Sequence, residues 1–198
     1  VSTSKRGYHH GDLRGAILQA AGKLLEKQGV EGLKMRELAR RAKVSHNAPY
    51  RHFPEREALL AALAAEGYAM LGQAQRAAAE AGGLRAMGEA YVRFALAHPQ
   101  RFRLMFGGLI SMERHSQLRE VATALFASLS GALSARVPEA QGAADSSIAA
   151  WALVHGLAEL LLGGRIAGAA KRGRDDALFV REVLASTRFA AGPAQSPA

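Results

Sequence analysis

The chain has 198 residues, which suits one globular domain or a small domain joined to a larger one. Hydrophobic residues make up 49%, enough for a core, and the absence of cysteine excludes disulfides and thiolate metal sites. The formal net charge of +9 is uneven: residues 1–60 hold 12 Lys/Arg against 6 Asp/Glu, whereas residues 61–198 hold 14 against 11.

Alanine, leucine and glycine dominate, and β-branched residues are sparse, so the composition predicts an all-α fold. Residues 1–10 form a basic arm with Lys5, Arg6 and Tyr8. From Asp12, read as the N-cap, Leu13, Ile17, Ala20, Ala21, Leu24 and Leu25 give one helical face that stops at Gly29. Met35, Leu38, Ala39 and Ala42 predict a second, short helix, and Ser45 restarts a third that closes at Phe53-Pro54. A long fourth helix opens at Glu55 or Glu57 and runs toward Gly82-Gly83. A fifth carries Leu84, Met87, Tyr91 and Phe94 until His98-Pro99 breaks it. Pro99 begins a sixth, PQRFRLMF.

The seventh carries a stripe from Leu118 to Leu133. Asp145, Ser146 or Ser147 caps an eighth, IAAWALVHGLAELLLGG, and Asp175 or Asp176 caps a ninth. The tail, residues 191–198, is expected to be disordered. The result is about nine helices: a three-helix N-terminal domain and a larger C-terminal helical bundle. No period-2 strand pattern and no charge-free apolar run near 18 residues stand out, so no membrane span is expected. VSTSKRGYHHGDLR lacks the apolar core of a signal peptide, and with the missing cysteines this gives a cytoplasmic expectation.

The third helix concentrates the chemistry. With Ser45 as N-cap and the helix running from His46 to about Phe53, Pro49 and Phe53 face inward. Asn47, Ala48 and Arg51 then project outward, with Tyr50 and His52 on the flanks and His46 at the N-terminal end. An amide, a guanidinium, a phenol, two imidazoles and a methyl are groups that read base edges or hold phosphate. The preceding helix adds Arg36, Arg40 and Arg41, and the pair forms a helix-turn-helix over about residues 34–53. An ordinary helical hairpin with a polar outer face is the plainer reading of the same geometry.

The stretch GLKMRELARRAKVSHNAPYRHFPEREALL resembles the DNA-binding domain of TetR-family transcriptional regulators over roughly residues 11–71. The matching positions are Ala42-Lys43-Val44-Ser45, Tyr50-Arg51-His52-Phe53 and Arg56-Glu57-Ala58-Leu59. Three positions depart from the pattern: Lys43 stands where the family has glycine, Pro49 where leucine is usual, and Lys34 where threonine is usual. YHHGDLR, HPQRFRLMFG and WALVHGLAELLL are similar to the subgroup with a Trp-His-Gly signature, here Trp151, His155 and Gly156. The resemblance implies phosphate contacts from Tyr50, His52 and Arg56, with Lys34 reaching a phosphate in place of threonine. It implies base-edge contacts from His46, Asn47 and Arg51. Lys5 and Arg6 with Tyr8 would enter a minor groove.

Residues 72–190 are then a ligand-binding and dimerisation domain. The eighth helix is apolar nearly all round, so it needs partners on two sides, and a homodimer through helices eight and nine supplies the second. The effector-pocket candidates are Tyr68, Met87, Tyr91, Phe94, Phe102, Met105, Phe106, Phe126, Trp151 and His155. The same set is also what a plain aromatic core looks like. The expected function is a sequence-specific repressor on a palindromic double-stranded DNA operator, released by an unknown small molecule. No cofactor and no metal are expected: His155 and Glu159, or His9 and His10, lack a third convergent ligand. Two rival classes are an enzyme, for which no nucleophile–base set is visible, and a helical protein-interaction adaptor or small-molecule-binding bundle without DNA specificity.

Overall fold

The computed structural model describes residues 13–134 and 140–187, excepting the side chains of 140–143. The N-terminal arm, the Asp12 cap and the tail therefore lie outside the described residues. Nine α-helices are found among the described residues, and no strand. They are α1 (Leu13–Gln28), α2 (Met35–Arg41), α3 (Ala48–His52), α4 (Arg56–Ala97), α5 (Pro99–Phe106), α6 (Ser116–Ser134), α7 (Ala140–Leu162), α8 (Gly168–Lys171) and α9 (Asp176–Ser186).

The N-terminal helices close around one core. On α1, Ile17, Leu18, Ala21, Leu24 and Leu25 recur at helical spacing and are all buried. Leu38, Phe53, Leu59 and Leu63 join the same cluster. Each such side chain contributes about 1.5–3 kcal/mol when taken fully from water. Val44 N donates to Ala39 O, which closes the turn between α2 and α3. Lys43 in that turn has φ of 55, the left-handed region where the family resemblance expects glycine. A side chain there costs about 1 kcal/mol of backbone strain.

α4 is the spine of the molecule, packing against α1, α5, α6, α7 and α9. The expected fourth and fifth helices are its two segments, 56–82 and 84–97. Between them Gly83 takes φ 66 and ψ −153, a region essentially closed to residues with a Cβ, and the axis kinks there. The helix total matches the expected nine only because the short α8 offsets this merger.

Two further boundaries differ from expectation. α7 begins at Ala140, so Asp145, Ser146 and Ser147 lie inside it and do not cap it. Residues 144–162 reach the length and mean apolarity of a membrane-crossing helix, but they carry Asp145 and Glu159, so the expectation of no charge-free apolar run holds; 28% of that stretch is buried. α9 does follow its expected cap: Asp175 Oδ1 accepts from Leu178 N at 2.8 Å.

A buried cation joins the N-terminal helices to the bundle. Arg101 on α5 is 7% exposed and donates Nη1 to Leu63 O of α4 at 3.1 Å. Glu26 of α1 and Glu66 of α4 each stand 3.5 Å from its guanidinium. The Glu26 approach neutralises charge without a well-directed hydrogen bond, since Arg101 Nε and Glu26 Oε1 are both buried without one.

Candidate nucleic-acid interface and the cavity behind it

The turn before α3 decides what the surface presents. Residues 46–47 form a turn, Ala48 N donates to Ser45 O at 2.9 Å, and the helix proper starts at Ala48. Pro49 has no amide to extend the helix backward, so α3 is five residues long, with Asn47 in the cap position and no side-chain cap bond. This corrects the expected helix from His46 under a Ser45 cap. It also corrects Ala48, which is buried. A helical projection counted from His46 does not apply to a residue reached through a turn.

The remaining expected residues stand outward. Ser45, His46, Asn47, Tyr50, Arg51 and His52 are exposed, while Pro49 and Phe53 face the core. His46 Nδ1 lies 3.1 Å from Asn47 Oδ1, and its ring sits 6.2 Å from that of Tyr50. Phe53 anchors the inner side, with the Arg14 guanidinium 5.2 Å above its ring.

The structure sorts the basic residues into held and free. Glu37 takes Arg40 at 2.7 and 2.9 Å and Arg41 at 2.6 Å. The hydrogen bonds from Arg40 and then Arg41 hold its carboxyl well below the usual range, at about 2. Arg56, expected on a phosphate, is exposed but bonded to its own chain: its Nη2 donates to Val30 O at 2.6 Å and its Nε to Leu33 O at 3.3 Å. It fixes the loop that launches α2. Lys34, Arg36 and Arg51 are exposed and have no acidic partner among the described residues. Those three remain available to an external polyanion.

Behind this surface the bundle holds a partly open cavity of about 550 Å³. Of the expected pocket residues, Tyr68, Met87, Tyr91, Phe106, Phe126 and Trp151 line it. Phe94, Phe102, Met105 and His155 do not. Phe94 meets the His98 ring at a tilt with centroids 5.1 Å apart, and Phe102 is fully buried edge-to-face with Tyr91. Met105 instead lines a smaller neighbouring cavity of about 240 Å³, which shares Tyr68, Phe106 and Met112 with the first.

The Trp-His-Gly residues explain themselves here. Trp151 Nε1 donates to the Tyr91 hydroxyl at 3.3 Å, and His155 Nδ1 lies 2.9 Å from the same oxygen. Together they fix one buried phenol against the cavity wall. Burial pushes the Tyr91 hydroxyl far above its ordinary pKa and raises Tyr68 to about 12, so both are neutral.

Sequence reasoning missed the polar lining. Gln75 is 7% exposed and donates Nε2 to Met87 O at 3.4 Å; Arg85 and Thr187 complete the polar set. A buried glutamine within an alanine-rich helix was the available signal for the first. The stripe on α6 is also explained: Ala122, Leu125, Phe126 and Leu129 are only partly covered because they face the cavity.

One turn touches both regions. Met112 lines the cavity, and its neighbours grip the start of α4. Ser111 N donates to Glu57 Oε1 at 3.2 Å, and His115 Nε2 lies 3.2 Å from the same oxygen. Arg114 donates to Glu57 Oε2 at 2.9 Å and to Glu55 Oε1 at 2.7 Å. The Ser111 amide is the largest influence holding the Glu57 carboxyl below its ordinary range. Arg56 lies between those two acids, so the cavity wall, the start of α4 and the loop before α2 form one connected set.

A family model described as bacterial regulatory proteins, tetR family, matches residues 17–63. Another, described as tetracyclin repressor-like, C-terminal domain, matches residues 84–185. Among solved structures, the chain is similar to a protein with unknown function from Rhodococcus sp. RHA1, at 35% identity over 91% of this chain and 96% of that one, with a TM-score of 0.76. It is similar in fold to the multidrug binding protein EbrR complexed with imidazole, at 24% identity over 92% and 97% of the two chains, TM-score 0.58. It is also similar in fold to AibR in complex with isovaleryl coenzyme A and operator DNA, at 17% identity over 89% and 98%, TM-score 0.62. No curated protein matches the chain. With both family models matched in chain order, and a helix-turn-helix set on a cavity-bearing bundle, the chain belongs to the TetR family of DNA-binding transcriptional regulators.

Proposed function

We propose that the protein is a ligand-responsive repressor that binds a two-fold symmetric operator as a homodimer. Its reading unit is residues 11–71, and residues 72–190 hold the effector and the partner. His46, Asn47 and Arg51 meet base edges. Tyr50, His52, Lys34 and Arg36 meet phosphates, and Ser45 lies at the same surface. Arg56, through its bonds to Val30 O and Leu33 O, and the buried Ala48 act as positioning residues. No catalytic step belongs to this function.

The dimer face is the outer side of α7 with α9. Ile148 is 55% exposed and Leu178 41%, and Ala149, Ala152, Leu160 and Gly163 are exposed between them. A Cβ added at Gly156 would meet nothing within 4 Å, so this helix leaves room for the close approach of a second one. An apolar helix face of this length is unfavourable in water, and a second copy covers it. AibR, whose structure holds both isovaleryl coenzyme A and operator DNA, offers a parallel for joint binding of effector and operator.

The observation that carries the ligand response is the 111–115 turn. An occupant that displaces Met112 shifts Ser111, Arg114 and His115, which hold Glu55 and Glu57 beside Arg56. The reading helices of the two protomers then lose the spacing of about 34–36 Å, or a multiple of it, that a palindrome demands.

Selection from a random duplex pool at moderate salt tests the core of this proposal. The expected product is a two-fold symmetric site bound by the dimer. Recovery of no site above background contradicts it.

A further inference from the structure

Resting on the cavity being the effector site, we infer that the effector is a hydrophobic organic acid, bound with its apolar body inward and its carboxylate at Arg85. The inner wall is aromatic and sulfur-rich, formed by Tyr68, Tyr91, Phe106, Phe126, Trp151 and Met87. Its volume of about 550 Å³ falls within the range of small-molecule sites.

The polar groups of that wall are largely committed to the protein. The Tyr68 hydroxyl donates to Met105 O at 3.0 Å, and the Tyr91 hydroxyl is held by Trp151 and His155. Gln75 keeps its carbonyl oxygen without a protein partner among the described residues, which leaves one mid-wall contact for a hydroxyl or amide of the ligand.

Charge decides the class. No Asp or Glu lines the cavity, and Arg85 is its one charged lining residue among those described. Arg85 is exposed and has no acidic partner among the described residues. Glu89, one helical turn along, faces Arg181 instead at 3.8 Å. A lipophilic cation would gain ring contacts at Trp151 and Phe126 but would meet a guanidinium in the lining, while the acid whose charge reaches Tyr91, Glu159, is exposed and outside the lining. An organic carboxylate meets a free guanidinium, which binds it in a forked, charge-assisted geometry.

The chain's one tryptophan, Trp151, lines the cavity, so its fluorescence reports occupancy. The purified full chain is titrated with decanoate, 1-decanol and decylammonium, all below their aggregation concentrations. Decanoate is expected to bind about tenfold or more tighter than the alcohol, and the amine weakest. Arg85→Gln is expected to erase the advantage of the acid while leaving the affinity for the alcohol unchanged. Equal binding of the three, or tightest binding of the amine, overturns the acid assignment while the cavity remains a ligand site. No change in Trp151 emission with any of the three overturns the cavity reading, and this inference with it.

Discussion

The N-terminal helices and the C-terminal bundle use similar side chains to opposite ends. Around α1–α3, Ile17, Leu24, Leu25, Leu38 and Leu59 are completely buried, and the polar side chains face out. In the bundle, aromatic and methionine side chains of equal apolarity stand around empty space, and the middle of the α6 stripe, Ala122 to Leu129, stays only partly covered while its ends, Leu118 and Leu133, are buried. A closed core fixes geometry, as the proposed base reading requires. A wall with a void beside it has room to shift, as the proposed response to a small molecule requires.

Truncation on each side should expose this difference most strongly. Leu38→Ala is expected to cost about 2–5 kcal/mol in urea unfolding, as for any filled core site, whereas Leu129→Ala at the cavity wall should cost under about 1 kcal/mol. Equal losses would mean the cavity is closed in solution. At the joint, Arg101→Met should cost about 2–3 kcal/mol by the same assay, because Leu63 O loses its donor and Glu26 and Glu66 lose their cation.

Glu57→Gln probes the link between the regions. Affinity for a full symmetric site should fall about fivefold, because the start of α4 is no longer held by the 111–115 turn, while a half-site duplex binds as before. A matching fall on the half-site would place Glu57 in the reading surface itself. The smallest expected effect is at Lys43: replacing it with glycine should stabilise by about 0.5–1 kcal/mol, seen as a modest rise in Tm, through relief of its positive φ.

Much of this was legible beforehand because periodicity reports on faces that are buried by neighbours of ordinary kind. The α1 stripe, the Pro99 start of α5, the Asp175 cap and the glycine break near residue 83 are all local signals. Pro49 signalled an irregular entry to α3, but not that Ala48 would turn inward, since that depends on the turn geometry at 46–47. Arg56 reads as a phosphate ligand by position. Only the tertiary path of residues 30–33 brings two backbone carbonyls of the protein itself to its donors. The cavity was half legible for a similar reason. Aromatic residues at helical spacing look alike whether they face a neighbour or a void, so Phe94 and Phe102 were not separable from Phe106 and Trp151. Gln75 and Arg85 become visible only when the kink at Gly83 brings 75 and 85–88 to one wall.

The central claim is that α3 reads sequence through Arg51 while Lys34 supplies charge alone. Its most direct test is binding of Arg51→Ala and Lys34→Ala to the selected operator and to a scrambled duplex across a salt series. Arg51→Ala is expected to lose about 1–3 kcal/mol on the operator and little on the scramble, and Lys34→Ala to weaken both alike and lower the salt slope by about one. Undiminished discrimination by Arg51→Ala would contradict the assignment of α3 as the element that reads DNA sequence.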